Sequence, residues 1–169
     1  MPKGQIGRKH KSRFHRWQNL APKPTRELSG HVERLLAPTL EGEGFCWVDN
    51  YFGGFEEPVG GRDIRFERRG FEYIDSIDIS FDKYNSPSFQ MSFSRRAMVP
   101  PYEFLRAGNL VKRPKQYYYR WGKRWFVPLS MWHESDSLST VEAVCFKVSQ
   151  ILDFLGNGRR GPNISRSTF

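Results

Sequence analysis

Between residues 25 and 40 the apolar positions Leu28, Val32, Leu35, Leu36 and Leu40 recur at close to helical spacing, as on one face of an amphipathic helix. Thr25 is placed to cap this helix, Gly30 weakens it, and Pro38 kinks or splits it, because proline lacks an amide donor and its ring crowds the preceding turn. Gly42 and Gly44 end the element, Phe45 to Tyr51 begin a strand, and Gly53, Gly54, Pro58, Gly60 and Gly61 mark residues 50–61 as a loop. From Ile64 the period changes to two. Ile64 and Phe66 alternate with charged neighbours as far as a turn at Arg69-Gly70. Phe71, Tyr73, Ile77, Ile79 and Phe81 then oppose Glu72, Ser76, Asp78, Ser80 and Asp82, a strand with one wet face. After a turn at Asn85-Ser86-Pro87, Phe89, Met91 and Phe93 oppose Gln90, Ser92 and Ser94, which completes an antiparallel meander.

Residues 98–116, interrupted by Pro100, Pro101, Gly108 and Pro114, predict a long irregular connection with at most a helical turn near Tyr102 to Ala107, and a candidate functional loop. Tyr117 to Trp121 and Arg124 to Leu129 flank Gly122-Lys123, which suits a two-residue hairpin turn. Near the end, Ser139 and Glu142 form a capping box ahead of a stripe of Val141, Val144, Cys145, Val148, Ile151, Leu152 and Leu155, with Gly156 just beyond it. Helix, strands, helix in this order predict an α+β fold: an antiparallel β-sheet of four to six strands with an N-terminal and a C-terminal helix packed on one face. The expected organisation is a basic disordered arm over 1–24, a single α+β domain over 25–156 and a basic flexible tail over 157–169.

Charge adds a second pattern. Residues 1–24 hold seven basic and no acidic residues, residues 25–84 seven against thirteen, and residues 85–124 nine against one, within a net charge of +9. Most of the excess therefore lies on the arm and one central stretch, and an acidic partner is expected, either nucleic acid (DNA or RNA) or an acidic protein surface. The arm interleaves Arg8, Lys9, Lys11, Arg13 and Arg16 with Phe14 and Trp17, and the central stretch interleaves Lys112, Arg113, Lys115, Arg120, Lys123 and Arg124 with Tyr117, Tyr118, Tyr119, Trp121 and Trp125. Cations attract phosphate, and aromatic faces stack on unpaired bases at about 1–3 kcal/mol each. The candidate nucleic-acid-binding residues are thus Arg8, Lys9, Lys11, Arg13, Arg16, Lys112, Arg113, Lys115, Tyr118, Arg120, Trp121, Lys123 and Arg124. The same pattern also fits a plainer role, with alternate aromatics facing a core and cations shielding a sheet edge. No helix-turn-helix, zinc-finger or ribonucleoprotein motif accompanies it.

Catalytic signals are weaker. Glu72, Asp78 and Asp82 share a strand face beside Lys83, a combination that could hold Mg²⁺ for phosphodiester cleavage. At about 3.3 Å per residue, however, Glu72 and Asp82 stand roughly 30 Å apart, and a solvated strand face is the simpler account. His10, His15, His31 and His133 show no metal-ligand spacing, and no phosphate loop or nucleophile motif is present. Trp132-His133-Glu134 sets an imidazole beside a carboxylate in sequence, without establishing a catalytic pair. Cys46 and Cys145 read as buried structural thiols of a reducing compartment.

No apolar run approaches the roughly 20 residues that cross a bilayer, so a cytoplasmic protein without membrane contact is expected. The acid-free N-terminus also has something of an organellar transit peptide, although its prolines and glycines argue against that. No catalytic residue, cofactor or metal is expected. The function expected is a non-enzymatic binding module acting through the basic arm and basic aromatic hairpin. The alternatives are a protein-protein interaction or immunity-type accessory factor using the sheet face and the acidic stretch around Glu56, Glu57 and Asp63, and a metal-dependent phosphodiesterase.

Overall fold

The computed structural model describes residues 13–48, 61–83, 86–112, 118–120 and 134–167. Helix α1 covers residues 13–20, α2 Lys23–His31 and α3 Ala37–Gly42, the last two joined by a π-helical segment, Val32–Leu36. Pro38 accounts for that segment. With no amide hydrogen at residue 38 the helical ladder is interrupted, and the chain widens rather than breaks, the N–H of Ala37 donating to the carbonyl of Val32. Helix α2 begins ahead of the expected cap: Pro22 holds its N-cap position and Pro24 its first turn, where a missing donor costs little. Thr25 is buried instead.

At the other end of the chain the single expected helix is two, α4 (Glu134–Cys145) and α5 (Val148–Asn157). Ser139 and Glu142 therefore lie inside α4. The break at Phe146-Lys147 rotates the second half, which buries Phe154 along with Val148, Ile151 and Leu155. Gly158, with φ 79°, closes α5 in the left-handed conformation and donates its N–H to the Phe154 carbonyl at 2.9 Å, two residues beyond the expected stop.

The strands are β1 (Cys46–Val48), β2 (Asp63–Arg69), β3 (Tyr73–Phe81), β4 (Ser88–Ala97), β5 (Phe104–Leu110), β6 (Tyr118–Arg120) and β7 (Ile164–Arg166). All pair antiparallel in the order β1-β2-β3-β4-β5-β7, and β6 continues past the end of β5 on the same side of β4. Among the described residues, seven segments thus make a sheet six positions wide. Two of them correct the sequence reading. Strand β5 replaces the irregular connection, and β7 takes part of the expected flexible tail into the sheet. Gly108, a turn signal in the sequence, is instead the point where β7 and Phe93 come closest: a Cβ there would stand 2.7 Å from the Ser165 carbonyl oxygen and 2.9 Å from the Phe93 ring.

Cross-strand rows of Phe66, Ile77 and Phe93, and of Ile64, Ile79, Met91, Leu110 and Ile164, line one face of the sheet. They form one buried cluster with Leu28, Val32, Leu36 and Leu40 from the N-terminal helices and Val141, Val144 and Ile151 from the C-terminal ones. The fold is α+β, with its helices on one face. Helix α1 belongs to that layer. Phe14 is 1% exposed, its ring edge-on to Trp47 at 5.4 Å and 6.1 Å from Phe81, while Trp17 lies 5.2 Å from Phe81. His15 and Glu33 meet at 2.6 Å. Residues 13–24 are therefore part of the fold rather than of an arm. Cys46 is exposed, contrary to the expected burial, whereas Cys145 is partly buried and burial pushes its thiol pKa up.

The inward row nearest the β2–β3 turn is ionic. Asp75, 0% exposed, accepts from Arg95 Nε at 2.6 Å and Nη2 at 2.9 Å, and from Arg68 Nη2 at 2.9 Å. The Arg95 guanidinium stacks on Tyr73, 3.6 Å from the ring centroid, and that of Arg68 lies 4.7 Å from the Phe45 centroid. Phe71, expected as an inward strand residue, sits in the turn and is 96% exposed.

On the opposite face Asp78 accepts from Arg65 Nε at 2.7 Å and Nη2 at 3.0 Å. Among the described residues no group of three or more His, Cys, Asp or Glu side chains could hold a metal ion. Asp63 has a pKa raised from 3.8, chiefly by burial, against the Ser80 hydrogen bond and the Arg62 charge, which lower it. A raised folded-state pKa means the native state prefers the protonated acid, so stability falls as pH climbs from 3.8 through the folded value and stays lower above it. Asp63→Asn is expected to melt at a higher temperature than wild type at neutral pH, with the advantage vanishing below pH 3.8 in parallel thermal melts.

Candidate anion-binding cleft

The pairing of β4 with β5 slips between Arg95 and Arg96: Arg95 faces Arg106, Arg96 faces Phe104, and Leu105 is the unpaired extra residue. A bulge of this kind re-aims side chains. Here Leu105 and Arg106, neighbours in sequence, both line a cleft of about 300 Å³. Its other walls are Phe154 of α5, Gly158 at the helix stop, Arg160 in the loop that follows and Arg166 of β7. Among the described residues that line it, none is acidic.

Each arginine is held differently. Arg106 Nη1 donates to the carbonyls of Leu155 and Gly156, the second at 3.1 Å. These carbonyls belong to the last turn of α5, where the helix lacks internal donors and its dipole is negative. The contact anchors the guanidinium at the wall of the cleft. Gly158 is needed here for its left-handed backbone, φ 79°, rather than for space, since a Cβ on it would stand at an ordinary contact distance of 3.5 Å from Arg106 Nε. Arg160 Nε donates to the Ile164 carbonyl at 2.9 Å, which braces the side chain across the loop. Arg166 stands opposite Gly108 in the β5–β7 ladder and is exposed. Guanidinium groups stay charged at every physiological pH and present planar forks of donors that match phosphate and carboxylate oxygens. A cleft of this composition attracts anions and repels cations.

Among the described residues, none of the sequence-predicted binding residues lines this cleft. Arg13 and Arg16 lie exposed on α1, and Lys112 is exposed just past β5. Lys112 lowers the pKa of Lys147, secondary to the burial of that ammonium. Tyr118 and Arg120 pair with Gln90 and Ser88 through β6. Arg8, Lys9, Lys11, Arg113, Lys115, Trp121, Lys123 and Arg124 lie outside the described residues, as do His133, the turn at Gly122-Lys123 and the acidic pair Glu56 and Glu57. Arg106, Arg160 and Arg166 were visible in the sequence only as contributions to two basic blocks. Antiparallel pairing of β5 with β7 is what assembles them.

No helix among the described residues is long and apolar enough to cross a membrane. No family model, curated protein or solved structure matches the chain.

Proposed function

We propose that the protein is a non-enzymatic binding module that engages nucleic acid or an acidic protein surface. The observation that carries this reading is the cleft itself: three arginines from β5, the following loop and β7 around a space with no acid among its described lining. The net charge of +9, with basic residues concentrated in segments 1–24 and 85–124, supports it on a longer range. Each phosphate neutralised by such a surface releases counterions, so affinity should fall steeply with salt.

The test is fluorescence anisotropy of labelled single- and double-stranded DNA and RNA at several salt concentrations. Three proteins are compared: wild type, the double variant Arg160→Glu, Arg166→Glu, and a chain lacking residues 1–12. The truncation stops at residue 12 because α1 carries Phe14 into the core. Wild type is expected to bind with a steep salt slope, and every phosphate that a variant no longer neutralises should make that slope shallower by about 0.9 on duplex or about 0.7 on single strands. Absence of salt-sensitive binding to every nucleic acid, together with absence of binding to a polyglutamate peptide, would sink the proposal.

A further inference from the structure

We infer that the partner of the cleft is single-stranded nucleic acid, its phosphates held by Arg106, Arg160 and Arg166 and its bases stacked on the exposed edge formed by Tyr102, Phe104 and Leu105. This rests on the binding reading above and narrows it. Leu105 links the two halves, because it lines the cleft while remaining 52% exposed.

The edge itself is unusual. Tyr102 and Phe104 are 56% and 55% exposed, and Val99 and Phe71 extend the same apolar end of the molecule, which the Met98 N–H to Glu72 carbonyl bond of 2.9 Å ties together. Single exposed apolar side chains need no explanation, but contiguous ones mark contact sites. Strand β7 pairs with β5 over Gly108–Leu110, with Ser167 N–H reaching the Ala107 carbonyl at 2.9 Å, so β7 stops short of Leu105, which stays 52% exposed. Tyr102 holds a left-handed backbone, φ 58°, fixed by its N–H on the Val99 carbonyl at 2.9 Å. A residue with a Cβ adopts that conformation at a cost, and here the residue nevertheless stays 56% exposed.

Charge decides between partners. Arg96 stands opposite Phe104 in the ladder and the three cleft arginines share a lining with Leu105, whereas the charge of Arg69 is met by Glu67 at 3.7 Å; Glu72 and Glu103 are the acids next in sequence to the edge. Arginine beside exposed aromatic rings favours a ligand that carries phosphates and free base faces. Duplex bases are already stacked on one another and offer no such face.

The experiment is anisotropy with a labelled ten-nucleotide oligothymidine and oligouridine, and with a hairpin duplex of matched charge. Tyr102→Gly is the chief variant, since glycine suits the left-handed backbone and removes the ring without threatening the fold. Phe104→Ala is the second, with circular dichroism checking both. The single strands are expected to bind tighter than the duplex, and each variant to weaken them about tenfold while leaving the duplex affinity and the salt slope unchanged. If salt-sensitive nucleic-acid binding persists and ring removal changes nothing, or weakens duplex equally, the inference fails and the binding-module reading stands. If only an acidic peptide binds, the inference fails and the partner is a protein. If neither nucleic acid nor peptide binds, both fall.

Discussion

Replacing Asp75 with alanine is expected to destabilise the protein by about 3–5 kcal/mol, the cost typical of removing one partner from a buried ionic group. The carboxylate is 0% exposed and takes hydrogen bonds from two guanidiniums. Of these, Arg68 is 29% exposed and can turn part of its charge to water, whereas Arg95 is 9% exposed and cannot. Removing the carboxylate therefore leaves the Arg95 charge desolvated against the Tyr73 ring, beneath the helical layer. Asp75 hydrogen-bonding is the leading reason that the Arg95 pKa is raised, against burial, which lowers it; that support leaves with the carboxylate, but a guanidinium stays protonated in proteins, so the charge remains. Urea titration of wild type, Asp75→Ala and the double variant Asp75→Ala, Arg95→Met measures the effect. The double variant is expected to recover part of the stability, because a long apolar chain in place of the stranded cation removes the unpaired charge. An unchanged midpoint in Asp75→Ala would mean that the cluster is not dry in solution.

Phe14→Ala is expected to cost a similar amount, about 3–5 kcal/mol, for a different reason. Its ring is 1% exposed and touches rings from three directions, Trp17 on its own helix, Trp47 on β1 and Phe81 on β3. Truncation to alanine empties the junction between α1 and the sheet edge. The close approach of Gly61 to α1 shows how tightly the helix seats: a Cβ on Gly61 would come within 2.5 Å of the Arg13 carbonyl oxygen. Denaturation of Phe14→Ala alongside chains lacking residues 1–12 or 1–20 separates this account from that of a mobile arm. The longer deletion should lose at least as much stability as Phe14→Ala, and the shorter far less. Midpoints equal to that of wild type for all three would show that α1 does not contribute to the core.

The meander was legible because β2, β3 and β4 alternate cleanly, and the period of two in Ile77, Ile79 and Phe81 matches the face that the helices cover. The elements that escaped this reading did so for specific reasons. Asp75 occupies the same phase as those isoleucines, and hydrophobic alternation passes over an acid whose partners lie on two other strands. Strand β5 hides because the bulge at Leu105 and the packing glycine Gly108 interrupt its alternation. Helix α1 hides because its arginines dominate its composition, although Phe14, Trp17 and Ala21 stand at helical spacing and are drawn inward. The cleft was beyond local reading altogether. Arg106 and Arg166 are brought face to face with the same space by a pairing between strands from distant parts of the chain, and nothing in either neighbourhood announces that pairing.

The buried ionic row also fixes which alignment of the central strands is permitted. Alternation alone does not, because a strand that slides by two residues still turns its apolar side inward. Slid in that way, β3 would set the Asp75 carboxylate opposite Phe66, or Ile77 opposite the Arg68 guanidinium, where the native pairings are Arg68 with Asp75 and Phe66 with Ile77. Either mismatch strands a charge in an apolar layer, and the same holds across the β3–β4 seam, where Asp75 meets Arg95. One carboxylate thus acts as an alignment pin through three strands, excluding the near-native slips that their hydrophobic residues would tolerate equally well.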